Sequence, residues 1–189
     1  AWDAGDGTLV FAGYKGGRGL RVARWNPVTR VATPMWSESN SHYAITAQVK
    51  IDPQRRVVMT SGARVLWIEP ATPSTIHEWP ATGWGDLNAL ALDFDGRPLV
   101  IETVLPALTP GRAARVDLAT GAFTTIGDVS ALQSFGSPLT NVAVAGDSTL
   151  WTSFDYGSLV HLSRSPWGLV QVPMLGYNDI AGEIFHVAD

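Results

Sequence analysis

Short runs of alternating apolar and polar residues follow one another along most of the chain, and turn-forming residues separate them. One set of four runs covers residues 87–94, 99–103, 113–118 and 123–126. An alternation with a period of two is typical of β-strands that bury one face. Asp95-Gly96 and Ala119-Thr120-Gly121 lie between runs, and these residue types favour tight turns. The pattern therefore predicts units of four short antiparallel strands joined by hairpins.

This unit recurs, and a short sequence echo marks each copy. Trp25-Asn26-Pro27-Val28-Thr29 returns as Ile68-Glu69-Pro70-Ala71-Thr72, as Val116-Asp117-Leu118-Ala119-Thr120 and, more weakly, as Leu162-Ser163-Arg164-Ser165-Pro166. Successive echoes lie 43, 48 and 46 residues apart. A period of about 45 residues with several strands per unit is typical of a β-propeller, in which each blade buries its faces against its neighbours. We therefore expect one all-β propeller domain over residues 1–189, with four blades of four antiparallel strands at about 6–53, 54–95, 96–146 and 147–189.

The two ends of the chain have complementary phases within this repeat. Residues 180–187 have the pattern of a first strand, and residues 6–11 have the pattern of the second strand that would follow it. We therefore expect the C-terminal strand to complete the first blade, so that no sheet edge stays unpaired. Two alternatives remain open. Two chains could combine into an eight-bladed ring, or the four repeats could be part of a larger array.

One stretch carries a resemblance to a known group of propellers. Residues 138–152 combine a strand, a tight turn containing Asp147 and the pair Leu150-Trp151. This stretch resembles the blade signature of the NHL, SMP-30 and streptogramin-lyase group, and residues 87–100 are similar to it. The resemblance implies a propeller fold. Members of that group usually carry six or seven blades, and the enzymes among them use a metal or a histidine in the central channel.

Composition removes several classes of function. Only 16% of residues are charged, the net charge is -4 and lysine occurs only at Lys15 and Lys50, so no basic stripe is available to bind nucleic acid. No apolar run approaches the roughly 20 residues that cross a bilayer. The absence of cysteine excludes disulfides and thiolate catalysis. The small residue Ala1 would suit a mature secreted protein, so we expect a periplasmic or secreted location, with a cytoplasmic one as the alternative.

Each loop that precedes a predicted first strand contains an aromatic or imidazole side chain. The residues are His42, Tyr43, Trp84, Phe135 and Tyr177, and Asp86 and Asn178 lie beside two of them. Such loops surround one mouth of a propeller channel, so the rings could form a collar that binds a protein or stacks on a sugar. The alternative is that each ring packs between blades. Trp84 is the best candidate for an exposed ring, because glycines flank it on both sides.

Polar residues at the same loops suggest a cation site, and one strand residue is an unusual carboxylate. Asp86, Asn141, Asp179 and Glu183 could supply oxygen ligands to Ca²⁺ or another divalent cation in the channel, although such groups often bind only water. We expect no cofactor. Comparison of the repeats aligns Glu102 with Thr60, Thr152 and Ala12. Glu102 could act as a general base if His42 were near, or it could pair with an arginine.

No catalytic signature accompanies the repeat: the sequence contains no nucleophile elbow, zinc-binding helix motif or phosphate loop. We therefore expect a non-enzymatic propeller that recognises or scaffolds another macromolecule, with a protein as the simplest partner. One alternative is a metal-dependent small-molecule enzyme of the SMP-30 or lyase type. The other is a carbohydrate-binding lectin that stacks sugars on the aromatic collar.

Overall fold

The chain folds into β-strands joined by tight turns. The computed structural model describes residues 2–15, 18–38, 49–69, 72, 75–93, 95–104, 109–128, 139–144, 150–154, 158–164 and 167–173. Across these ranges every regular element is a strand, which confirms the all-β prediction. In the same ranges there is no helix long and apolar enough to cross a membrane.

The described strands form four antiparallel sheets, each with its four strands in chain order. The first sheet contains β1 Trp2–Asp3, β2 Leu9–Lys15, β3 Arg18–Asn26 and β4 Val31–Ser37. The second contains β5 Val49–Ile51, β6 Val57–Thr60, β7 Arg64–Ile68 and β8 Ile76–Pro80. The third contains β9 Asp86–Leu92, β10 Pro98–Val104, β11 Thr109–Val116 and β12 Phe123–Asp128. The fourth contains β13 Leu139–Val144, β14 Leu150–Phe154, β15 Ser158–Arg164 and β16 Trp167–Pro173.

The turn between the third and fourth strands explains the sequence echo. The side-chain oxygens of Asn26 and Asp117 each accept hydrogen bonds from the backbone amides two and three residues later, at 2.8–3.2 Å. Such a side chain closes the turn in place of a backbone group. Each turn then ends in a left-handed residue, Arg30 with φ 59° and Gly121 with φ 73°. The first and third echoes are therefore the same turn.

Apolar side chains fill the space between the first and second sheets and between the second and third sheets. One cluster joins the first and second sheets through Val10, Val22, Met35, Val49, Val57, Met59, Leu66 and Ile68. A second cluster joins the second and third sheets through Val58, Val65, Trp67, Leu87, Leu90, Val100, Ala114 and Val116. The first strands of the sheets also adjoin in series, since β1 contacts β5, β5 contacts β9 and β9 contacts β13. This serial packing around the first strands is typical of propeller blades.

The edge of β2 is not filled as the sequence predicts. Trp2 pairs with Val10 and Asp3 pairs with Leu9, so the chain's own N-terminal residues occupy the place that was assigned to residues 180–187. Residues 180–187 lie outside the described residues, but at Leu9 and Val10 the prediction is wrong. A physical reason is loop entropy, because closing a hairpin across residues 4–8 costs about 3 kcal/mol less than closing a loop between opposite ends of the chain.

Candidate recognition site at the entry to the third sheet

The loop between β8 and β9 holds Trp84 at the entry to the third sheet. The amide of Trp84 donates to the carbonyl of Ala81 at 3.0 Å, and Gly83 adopts a φ of 77° that L side chains rarely adopt. The amide of Leu87 then donates to the carbonyl of Gly62 at 2.9 Å, which fixes the start of β9 against the second sheet. The two sheets therefore hold this loop from both of its ends.

The ring of Trp84 is half-buried. The guanidinium carbon of Arg112 lies 4.1 Å from the ring centroid, within the range of a cation–π contact. The ring of Phe123 lies 5.8 Å away, tilted by 44°, and both rings pack against the second apolar cluster. Trp84 therefore has features of both interpretations of the sequence, a ring packed between sheets and a ring exposed for binding. It contributes to packing and also lies at the surface beneath an arginine.

Glu102, on β10, forms hydrogen bonds to the loop between β8 and β9 and to Arg112 on β11. Its side chain is buried, and its oxygens accept hydrogen bonds from the amide of Gly85 at 2.6 Å and the amide of Arg112 at 3.2 Å. Nε and Nη2 of Arg112 donate to the same carboxylate at 2.9 and 3.0 Å, and Nη2 also donates to the carbonyl of Gly83 at 2.7 Å. Arg112 thus closes a bridge between the loop and the buried carboxylate.

The state of Glu102 follows from these partners. Hydrogen bonds from Arg112 hold the pKa of the Glu102 carboxyl below its ordinary value, and they outweigh the effect of burial, which acts in the opposite direction. The carboxylate is therefore ionised at neutral pH, with donors on both of its oxygens. The arginine pairing considered from the sequence is confirmed. Such a carboxylate is a poor general base, because its proton-accepting positions are already occupied.

The strand register corrects the position that the sequence assigns to Glu102. Ile101 pairs with Ala113, as Thr60 pairs with Val65 and Ala12 pairs with Val22. The residue equivalent to Thr60 and Ala12 is therefore Ile101, and Glu102 follows it at a β-bulge in β10. A bulge inserts one residue into a strand and redirects the next side chain. The alignment of the repeats by sequence therefore places Glu102 one position away from its true equivalent.

A repeated arginine is the part of the site that sequence reasoning missed. Arg21, Arg64 and Arg112 each precede their echo by the same number of residues. Arg64 pairs with Glu38, just after β4, and with Glu78 at 3.1 Å. Arg64 therefore binds a segment that leads from the first sheet towards the second, as Arg112 binds the loop that enters the third sheet. The fixed offset from each echo is a signal that could have revealed this arginine.

The residues proposed as cation ligands are only partly described. Asp86 is the first residue of β9 and is half-buried, and Asn141 lies in the neighbouring strand β13, where it pairs with Ser153 of β14. Asp179 and Glu183 lie outside the described residues. In the part of the chain that the structure describes, no group of three His, Cys, Asp or Glu side chains is arranged to hold a metal ion. The four-residue cation site stays a prediction.

Most of the predicted aromatic collar also lies outside the described residues. This applies to His42, Tyr43, Phe135, Tyr177 and the neighbouring Asn178. Of the residues predicted to form the collar, the structure describes only Trp84 and the neighbouring Asp86, and the collar stays a prediction. At these two positions the structure shows a half-buried surface at the entry to the third sheet.

A scan against protein-family models and a sequence search of curated proteins each gave no match. Solved structures do match. The chain is similar to virginiamycin B lyase from Staphylococcus aureus, with a TM-score of 0.60, 11% identity and coverage of 88% of this chain and 59% of the lyase. It is similar to a chain of the nidogen/laminin complex, with a TM-score of 0.64, 10% identity and coverage of 88% and 59%. It is also similar to YCF48 bound to D1 peptide, with a TM-score of 0.56, 15% identity and coverage of 84% and 51%.

These similarities establish the fold. The chain has a β-propeller fold of the kind found in streptogramin lyases, which confirms the resemblance predicted from residues 138–152. The chain spans between 51% and 59% of the length of these three structures.

Proposed function

We propose that this protein is a non-enzymatic propeller that recognises a protein or peptide through the loop that enters its third sheet. The observation that carries the proposal is the Trp84–Arg112 surface, which we define as Trp84, Arg112, Gly83 and Asp86. Tryptophan and arginine are the residue types that most often dominate the energy of protein interfaces. Two of the similar structures were determined with a protein or peptide partner, a nidogen/laminin complex and YCF48 with D1 peptide.

The surface is already organised for binding. Arg112 is 39% exposed, yet its guanidinium is fixed by Glu102 and by the carbonyl of Gly83. A side chain held in one conformation loses little entropy when a partner binds, so more of the contact energy contributes to affinity. An aromatic face beside a fixed cation suits a partner segment with an apolar side chain and a nearby carbonyl or carboxylate oxygen.

Glu102 argues against a simple hydrolytic or lyase site at this loop. A general base needs a free oxygen within reach of substrate, whereas both Glu102 oxygens are held by protein donors. The metal-dependent enzyme and the sugar-binding lectin remain as the competing outcomes of the test below. An extracytoplasmic location and the cation site are further expectations from the sequence.

The proposal is tested with a displayed library of short random peptides selected on the purified chain. We expect Trp84→Ala to raise the dissociation constant of selected peptides about thirtyfold, since a hot-spot aromatic contributes about 2 kcal/mol. Trp84→Phe should retain part of the affinity because it keeps an aromatic face. The control is Val28→Ala, in an exposed turn at the opposite ends of the strands, and it should leave binding unchanged.

Three outcomes would contradict the proposal. One is the absence of any peptide whose binding depends on Trp84, in a variant that circular dichroism shows to be folded. Another is a Trp84-dependent signal on a glycan array without peptide binding, which would support the lectin. A third is Ca²⁺ binding by calorimetry that Asp86→Ala abolishes, together with turnover of a small molecule, which would support the enzyme.

A further inference from the structure

Asp86 carries a carboxylate at the boundary between the second and third sheets. It is the first residue of β9, and its side chain is half-buried. Its Oδ1 lies 3.7 Å from the position that a Cβ on Gly62 would occupy, in the turn between β6 and β7. Among the residues that the structure describes, none donates a hydrogen bond to the Asp86 side chain or forms an ion pair with it. The half-buried carboxylate therefore depends on water for part of its stabilisation.

The neighbouring carboxylates have cations of their own. Glu78 pairs with Arg64 at 3.1 Å, and Glu102 pairs with Arg112 at 2.9 Å. The charge of Arg112 is therefore already balanced by Glu102, whereas no described residue balances the charge of Asp86. Taken together with Glu102, the Trp84–Arg112 surface carries a net negative charge. A partner of opposite charge would complement it.

A partner that covers Trp84 also removes water from Asp86. Only Gly85 separates the two residues, and two residues of chain span at most about 7 Å between Cα atoms. Removal of water from a carboxylate is strongly unfavourable unless a positive group or hydrogen-bond donors replace it. Binding at Trp84 is therefore most favourable for a partner that brings a positive group to Asp86.

We propose that the partner of the Trp84–Arg112 surface is a basic peptide segment, which places an apolar side chain on Trp84 and a lysine or arginine side chain at Asp86. This inference rests on the proposed function, because it names the partner of the same surface. In an extended peptide, side chains two residues apart lie on one face at a separation of about 7 Å. The apolar and basic residues of the segment are therefore separated by one residue. Arg112 donates to a backbone carbonyl of the segment, since Glu102 already balances its charge.

A double-mutant cycle on selected peptides tests this inference. Peptides whose binding to the purified chain depends on Trp84 should contain lysine or arginine two positions from an apolar residue. For one such peptide, Asp86→Asn should raise the dissociation constant about tenfold, and replacement of the basic residue of the peptide by glutamine should do the same. The two changes together should raise it no further than either alone, because both remove the same ion pair.

Salt and a second carboxylate provide the controls. An increase in NaCl from about 0.05 M to about 0.5 M should weaken binding by the wild type several-fold more than binding by Asp86→Asn. The matched variant is Glu78→Gln, which removes the same charge from a side chain that is 55% exposed and pairs with Arg64. It should change the dissociation constant by less than about twofold, because exposed charges outside a contact contribute little. Circular dichroism spectra that match the wild type show that each variant is folded.

The outcomes separate this inference from the proposed function. Peptides that depend on Trp84 but lack a basic residue, or whose binding Asp86→Asn leaves unchanged, would overturn the inference while the proposed function stands. Peptide binding that requires Ca²⁺ and is lost in a chelator would also overturn it, because a metal ion would then balance Asp86. The absence of any peptide that depends on Trp84 would overturn both.

Discussion

Glu102 connects three segments of the chain through one carboxylate. It lies on β10, accepts a hydrogen bond from the loop at Gly85 and forms an ion pair with Arg112 on β11. The Glu102 side chain is almost fully buried, so the loss of these partners would leave a charge with no water to replace them. The local order of the Trp84 loop therefore depends on a residue that does not belong to the loop.

Replacement of this carboxylate should destabilise the protein in a pH-dependent way. We expect Glu102→Gln to lower the free energy of unfolding at pH 7 by about 2 kcal/mol, less than for a fully buried pair because Arg112 is partly exposed. The folded-state pKa of Glu102 is lowered, so its contribution is present above the ordinary value of 4.5 and is lost as the pH falls through the folded value. Urea unfolding from neutral to acidic pH should show the two proteins converging below that ordinary value.

Glu78→Gln is the control for this measurement. The side chain of Glu78 is 55% exposed and pairs with Arg64 at 3.1 Å, so its loss should cost only about 0.5 kcal/mol. A Glu102→Gln variant as stable as the wild type at neutral pH, or a stability difference independent of pH, would show that the bridge contributes little.

At the scale of elements, the outer turn of the third sheet is fixed by the preceding sheet. The indole Nε1 of Trp79, on β8, donates to the carbonyl of Leu118 at 2.9 Å. A Cβ added to Gly121 would lie 2.6 Å from Cδ2 of the same indole. Gly121 therefore meets two requirements, a left-handed backbone and the close approach of a tryptophan.

These two requirements can be separated with a matched pair of variants. Gly7 and Gly121 have nearly the same φ, 79° and 73°, but a Cβ on Gly7 would meet nothing within 4 Å. We expect Gly7→Ala to cost about 1 kcal/mol for its backbone conformation. Gly121→Ala should cost about 1–2 kcal/mol more, because the Trp79 ring must move. Thermal or urea unfolding measures both, and equal losses at the two sites would contradict a tight contact at Trp79.

At the scale of the whole molecule, the second sheet is stabilised by both of its neighbours in the series. Met59 and Val58 are adjacent in β6, yet Met59 belongs to the cluster shared with the first sheet and Val58 to the cluster shared with the third. Repeat folds of this kind owe their stability to interfaces between neighbouring repeats. Loss of one interface should therefore affect the two sheets that share it more than the others.

Hydrogen exchange of the backbone amides can detect this localisation. We expect Met59→Ala and Val58→Ala each to destabilise the protein by about 2–4 kcal/mol through the cavity that they leave. Met59→Ala should accelerate exchange mainly in the first and second sheets, and Val58→Ala mainly in the second and third. Identical exchange maps for the two variants would show that the sheets open as one unit, contrary to this expectation.

Particular residues show which features of the fold and of the candidate site could be predicted from the sequence. The alternation around residues 87–103 and the turns at Asn26 and Asp117 were sufficient to predict strands, hairpins and the propeller type of fold. Trp84 was also correctly placed in the loop that enters the third sheet. The one-residue displacement of Glu102, the contact of Arg112 with Trp84 and the pairing of Trp2–Asp3 with β2 were not visible in the sequence.

The difference has a physical origin. Strand alternation, left-handed glycines and side chains that close turns act over a few residues, so the sequence by itself determined the repeat, the turns and the all-β class. Bulges, strand register and the partners of a buried charge depend on residues that are distant in the chain and meet only when sheets pack. Only the tertiary structure therefore decided that Glu102 holds Arg112 over Trp84, and that Asp86 lies beside Gly62 of the second sheet.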